Sequence, residues 1–245
     1  MRFFPSRIRR IAVVASLAIG IGTTTAHAGL VDPGMKIEWW VDGSYAGMLN
    51  PSGVYNSSTG WWNYQGFATD LDSGVTLNFN LNGDPDPLIS GNLTVENLFL
   101  PVVDITLVVT LPIAPLLPGG SLMQGSAAVG LTTDDGGGSL STFGGEPLWQ
   151  GLIDGVAVGN SASMFFDPFA LSNASLGSSG SSSNFGAPFM VAGPAVLSDI
   201  GIRIHFSLTQ NDQASITSVF YVIPAPGAIG LLAIGALGIG RRRRR

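Results

Sequence analysis

Two eight-residue stretches alternate apolar and polar residues without a break, and they constrain the fold more than anything else in the chain. In Val75-Thr76-Leu77-Asn78-Phe79-Asn80-Leu81-Asn82 the residues Val75, Leu77, Phe79 and Leu81 fall on one face. Ile202-Arg203-Ile204-His205-Phe206-Ser207-Leu208-Thr209 repeats the pattern. A period of two suits a half-buried strand and would smear apolar groups around a helix. Ile37–Val41, Leu93–Leu98, Val102–Leu111, Ser126–Thr132 and Ala214–Val222 extend the set, with Val102–Leu111 apolar enough for a central strand. No core segment carries a helical period. Short strands with Gly, Pro and Asn turns predict an all-β, antiparallel two-sheet β-sandwich of jelly-roll-like form.

Turn chemistry divides the strands. Asn82-Gly83-Asp84-Pro85-Asp86-Pro87 reads as a turn, because two prolines remove backbone donors. Asp134-Asp135-Gly136-Gly137-Gly138 reads as a loop tip. Ser172–Asn184, rich in Ser and Gly, reads as a mobile loop, and Pro147–Asp154 as a short turn.

The two ends read differently. Arg2, Arg7, Arg9 and Arg10 precede an uncharged apolar run, Ile11–Gly22, and then Ala26-His27-Ala28. That order predicts a secretory signal helix over 1–28, with signal peptidase cutting between the small residues Ala26 and Ala28 and the next residue, Gly29. At the other end Pro224-Ala225-Pro226 leads into an apolar, Gly-rich stretch that stops at Arg241, Arg242, Arg243, Arg244 and Arg245. About 14 apolar residues fall short of the roughly 20 that span a bilayer comfortably. Arginines do not cross cheaply, so the tail predicts a helix held transiently in the inner membrane with its charges on the cytoplasmic side. The expected divisions are a signal peptide over 1–28, a sandwich domain over 29–221 and a sorting or anchor segment over 222–245.

A short proline motif, an apolar helix and a terminal arginine cluster, in that order, resemble the PEP-CTERM sorting domain of bacterial envelope proteins, here as a Pro-Ala-Pro variant of Pro-Glu-Pro. The resemblance implies recognition by an exosortase-like processing enzyme, and it speaks to address and not to activity. The stretch from Val102 to Tyr221 is also similar to a region of other proteins with this tail, which implies a shared β domain and adds no site.

Setting the ends aside exposes an unusual charge balance. The whole chain carries −5, yet nine of its eleven basic residues lie in the two ends. The core keeps Lys36 and Arg203 against all sixteen carboxylates, a formal −14. Such a surface argues against nucleic acid and anionic lipid as partners. With no cysteine, thiolate catalysis, disulfides and iron–sulfur clusters are excluded.

Candidate chemistry is sparse. His205 is the core's one histidine and reads as an exposed strand residue with no serine nucleophile motif nearby. Asp70 and Asp72, Asp84 and Asp86, and Asp134 and Asp135 sit in turns where calcium finds carboxylate and carbonyl oxygens, although each also reads as an ordinary acidic turn. No other cofactor is expected. Four of the five tryptophans cluster early, as Trp39, Trp40, Trp61 and Trp62. Alternation puts Trp39 inward with Ile37 and Val41, and Trp40 outward with Glu38. Trp40 and Trp62 are therefore the candidates for stacking on an extracellular polysaccharide. The expected role is a non-enzymatic structural or interaction protein of the envelope or extracellular matrix. The alternatives are a carbohydrate-binding module and a polysaccharide-active enzyme.

Overall fold

The computed structural model describes residues 31–225. Their strands are β1 (Lys36–Val41), β2 (Ser44–Leu49), β3 (Val54–Asn56), β4 (Trp61–Asp70), β5 (Val75–Asp84), β6 (Leu88–Asn97), β7 (Val102–Pro112), β8 (Ser121–Thr133) and β9 (Gly138–Ser141). They continue with β10 (Trp149–Ile153), β11 (Val156–Ala157), β12 (Ser163–Met164), β13 (Ala170–Asn173), β14 (Gly177–Phe185), β15 (Val191–Gly193), β16 (Asp199–Thr209) and β17 (Asp212–Pro224). The protein is an antiparallel two-sheet β-sandwich. One sheet runs β11-β10-β16-β7-β1-β2, with β9, β12 and β13 attached; the other runs β14-β8-β17-β6-β5-β4-β3, with β15 beside β8. Among the described residues no helix is long and apolar enough to cross a membrane. The expected signal helix and apolar tail helix lie outside the described residues, as do Ala26, Ala28, Pro226 and Arg241–Arg245.

The strands alternate as their residues require. Val75, Leu77, Phe79 and Leu81 of β5 are buried, and so are Ile202, Ile204, Phe206 and Leu208 of β16. These faces meet between the sheets and form the core. Tight hairpins close where the sequence offers residues that tolerate positive φ. Asp42 and Gly43 (φ 48° and 74°) join β1 to β2, and Asp154 and Gly155 (φ 51° and 73°) join β10 to β11.

One long ribbon organises the whole. Leu88 pairs with Tyr221 and Asn97 with Asp212 in one sheet. Val102 then pairs with Thr209, and Pro112 with Asp199, in the other. Leu117 bridges Val196, and Met123 pairs with Val191 back in the first sheet. Two antiparallel chains thus cross between the sheets together, twice, and the second crossing brings β8 against β17. This wrapped ribbon is the jelly-roll-like element of the fold.

The first crossing is held by Asn97, which is fully buried. Its Nδ2 donates to Leu100 O (2.8 Å) and to Leu208 O (3.0 Å), and its Oδ1 accepts from Leu100 N (3.1 Å). Its backbone carbonyl accepts from Asn211 N at 2.6 Å. One side-chain amide therefore bonds backbone groups of both crossing chains where β6 gives way to β7.

Three readings are corrected by the structure. Asn82, Gly83 and Asp84 belong to β5, which pairs with β4 and β6 on its two sides; the prolines come only afterwards, at the turn itself. Pro147–Asp154 is not a turn but contains β10, whose Trp149 is fully buried. Ser172–Asn184 is not a loop: it ends β13 and forms most of β14, a nine-residue partner of β8. Phe185, one residue further on, explains why β14 holds. Its ring packs 5.8 Å from Trp149 and 6.3 Å from Phe220, tying an otherwise small-residue strand to the core. β17 runs through Pro224, and Val222 is buried.

Replacing Asn97 with Ala should strand buried carbonyl and amide groups at the crossing and lower unfolding stability by roughly 3 kcal/mol. Urea denaturation checks this; an unchanged midpoint would show that the crossing is held by other means.

Candidate functional site

The outer face of the β1–β7–β16–β10 layer gathers the core's scarce cations. Cross-strand pairing sets Lys36 beside Thr110, then Glu38 beside Val108, Arg203 and Gln150, then Trp40 beside Thr106 and His205. Position 36 and position 203 meet because β1 and β16 both pair with β7. The result is a groove of about 400 Å³, lined among others by Lys36, Glu38, Trp40, Asp154, Asp199 and Arg203.

Its aromatic end is built by register. As expected, Ile37, Trp39 and Val41 are buried, while Glu38 and Trp40 face outward and are half-buried. The β1–β2 pairing slips between Trp39 and Trp40, so Trp39 faces Gly47 and Trp40 faces Tyr45. Gly47 is needed there: a Cβ at that position would stand 2.7 Å from the Trp39 indole. Tyr45 is 56% exposed and meets Trp40 edge-on, with ring centroids 5.6 Å apart.

The polar part of the groove has both closed and open valences. Lys36 Nζ lies 2.9 Å from Glu38 Oε2, and Arg203 pairs with Glu146. Asp154 accepts hydrogen bonds from the backbone N–H groups of Leu197 (3.0 Å), Ser198 (2.7 Å) and Asp199 (3.3 Å). Burial pushes the Asp154 carboxyl upward, but these donors outweigh it and hold the group below its ordinary value. Burial pulls the Arg203 guanidinium below its ordinary value. By contrast, Arg203 Nε, Asp199 Oδ1 and Gln150 Oε1 are shielded from water and have no hydrogen-bond partner among the described residues. The same holds for Trp149 Nε1, Asn173 Nδ2, Ser179 Oγ and Asp212 Oδ1 elsewhere, so these atoms do not by themselves mark a site.

His205 is half-buried rather than exposed. Thr106 Oγ1 lies 2.8 Å from its Nδ1, and the Phe143 ring stacks on it at 3.7 Å between centroids. Burial is the main cause lowering its pKa, and Arg203 adds to it. The imidazole is thus kept neutral and packed in place.

The other candidates are dispersed. Trp62 shares the inward face of β4 with fully buried Tyr64 and packs against the core, half-buried, beside Tyr55 at 5.4 Å. Asp70 Oδ2 accepts from Ser73 Oγ (2.6 Å), Asp84 Oδ1 from Asp86 N (3.0 Å) and Asp134 Oδ1 from Gly136 N (2.8 Å), so each carboxylate closes its own turn. Asp72, Asp86 and Asp135 are exposed in those same turns. Among the described residues no group of three or more His, Asp and Glu side chains is placed to hold a metal ion. Pro224 ends β17 opposite Ser121, and Ala225 N donates to Gly120 O at 3.2 Å. Sequence reasoning passed over Tyr45, Gln150, Asp154 and Asp199. The only available signal was the rarity of cations, which flagged Arg203 and Lys36 without showing that they converge.

The outer face of the second sheet differs. Asn63 Nδ2 donates to Asn80 Oδ1 (2.8 Å) and Asn82 Oδ1 (3.1 Å), and Asn92 Nδ2 donates to Thr217 Oγ1 (3.1 Å). Several of its amides and hydroxyls bond one another, whereas the Trp40 groove joins an aromatic pair to charged side chains and is the better candidate.

No family model matches the chain, and no curated protein matches it. Among solved structures it is similar to a cyclase from Fischerella sp. TAU in complex with 4-(1H-indol-3-yl)butan-2-one, at 9% identity over 71% of this chain and 89% of that one, with a TM-score of 0.26. It is also similar to a family 11 carbohydrate-binding module from Clostridium thermocellum in complex with a β-1,3-1,4-mixed-linked tetrasaccharide. That match has 12% identity over 80% of this chain and 98% of that one, with a TM-score of 0.23. At these TM-scores neither likeness carries an argument about function.

Asp154→Ala should destabilise the groove end by about 1 kcal/mol, at the low end for a charge-assisted site because solvent reaches it. The folded pKa lies below the unfolded value near 3.8. The contribution is therefore present above that value and lost as pH falls through the lower folded one. Wild type and variant should differ in unfolding midpoint at pH 6 and converge in strong acid; a gap that persists there would refute the ionised-carboxylate account.

Proposed function

We propose that this chain is an exported binding protein of a bacterial envelope or extracellular matrix, sorted by its tail and engaging carbohydrate at the Trp40 groove without catalysing a reaction. The observation that carries the reading is the meeting of an outward aromatic pair, Trp40 and Tyr45, with the charged side chains of Lys36, Glu38, Asp154, Asp199 and Arg203 that line a groove on the same sheet face. A pyranose ring presents an apolar face that stacks on indole and a rim of hydroxyls that both donate and accept. The groove offers both complements. Two of the core's three glutamates lie at this face, but Glu38 and Glu146 are each held in an ion pair, which favours binding over acid–base chemistry.

The sorting part of the proposal rests on the two ends. It is supported by the point where the sandwich finishes: Pro224 is still in β17, so the proline motif begins where the last strand stops. Signal peptidase and an exosortase-like enzyme are the proposed processing partners.

Removal of everything after Ala225 leaves β17 whole and should release the protein into the medium; retention with the cells would end the anchoring idea. On a glycan array, Trp40→Ala should weaken binding at least tenfold. Trp62→Ala should instead cost about 2 kcal/mol of stability, as a part-buried core contact, and leave the bound glycans unchanged.

A further inference from the structure

We infer that the Trp40 groove takes an uncharged glycan and discriminates against uronic-acid and other anionic polymers, an inference that rests on the carbohydrate reading above. Lys36 and Arg203 are the only Lys and Arg residues of the core, and both sit at the groove, which at first suggests an anion site. Their partners remove that option. Lys36 is paired with Glu38 and Arg203 with Glu146, so the charge of each cation is already offset by a neighbouring carboxylate. Asp154 and Asp199 also line the groove. Two cations therefore face four carboxylates, within a core that already carries −14. An approaching polyanion meets net repulsion at long range and again at contact.

The polar lining points the same way. Glu38, Asp154 and Asp199 put carboxylate oxygens, which only accept hydrogen bonds, along the groove. Such acceptors need donors from the ligand. Hydroxyl groups supply them, whereas a carboxylate or sulfate has only acceptor oxygens and would set like against like. The aromatic pair meets the apolar side of the ring in either case, so stacking gives affinity and the polar side gives the choice. The carboxylates at positions 38, 154 and 199 are far apart in sequence and line one groove in the fold, with Glu146 joined to it through Arg203.

The test uses the purified full chain with two probe sets of equal length, neutral gluco- and manno-oligosaccharides and oligogalacturonides, titrated calorimetrically in low and high salt. The expected result is binding of a neutral probe that Trp40→Ala abolishes and salt leaves within about twofold, with oligogalacturonide at least tenfold weaker. Glu146→Gln, at a partly exposed position, frees Arg203 and should narrow that ratio several-fold. Oligogalacturonide bound as tightly as the neutral probes, with Trp40 still required, would overturn this inference and leave the carbohydrate reading standing. An unchanged ratio in Glu146→Gln would also overturn the charge argument. Binding of neither probe set, or binding indifferent to Trp40→Ala, would bring down the carbohydrate reading and this inference with it.

Discussion

The sandwich depends on a two-chain ribbon that passes from one sheet to the other, and that passage depends on Asn97. At a crossing, backbone groups leave one ladder before they enter the next, and inside a core they cannot turn to water. Asn97 meets this need with one side chain, donating twice and accepting once, while its own carbonyl takes the Asn211 N–H. Gln210 adds an outer layer, with its N–H on Pro101 O (3.2 Å) and its amide Nε2 on Phe99 O (3.1 Å). A domain without disulfides has no covalent substitute for such a staple.

The candidate site follows from that topology. Because β16 travels with β7 in the ribbon, Arg203 and His205 lie beside Val108 and Thr106, and β1 on the far side of β7 adds Glu38 and Trp40. Residues more than 160 positions apart thus become neighbours by strand order alone. The core's acidity makes the arrangement more pointed. Other carboxylates bond neutral donors, as Asp32 accepts from Gly53 N and Tyr64 Oη and Asp167 from Thr142 Oγ1, and among the described residues only here do they oppose cations. The outer face of the other sheet carries amides that bond one another instead.

Much of this was legible in the sequence where burial is one-sided. Val75–Leu81 and Ile202–Leu208 announce their faces, and the outward placement of Trp40 follows from the same rule. What was not legible depends on partners far away in sequence. β14 has no apolar stripe of its own; it is a strand because β8 supplies a nine-residue ladder and Trp149 and Phe220 receive Phe185. β10 is short and follows a proline, and its strand character comes from lying against β16. Asn82 and Gly83 stay in strand because they pair with a neighbour on each side, and Asp84 because it pairs with Leu88, before the prolines intervene. The same logic hid the groove: Lys36 and Arg203 were conspicuous as the only two cations, but their meeting is a fact of sheet order.

The proposed recognition takes place on the Trp40 face, by stacking on the indole and hydrogen bonding to the groove's carboxylates. A crystal structure of the full chain grown with a neutral oligosaccharide tests it most directly. The account predicts a sugar ring stacked on Trp40, with hydroxyls within about 3 Å of polar side chains that line the groove, such as Glu38 or Asp154. A sugar seated instead on the Asn63–Asn80–Asn92 face, with the Trp40 groove vacant, would contradict it.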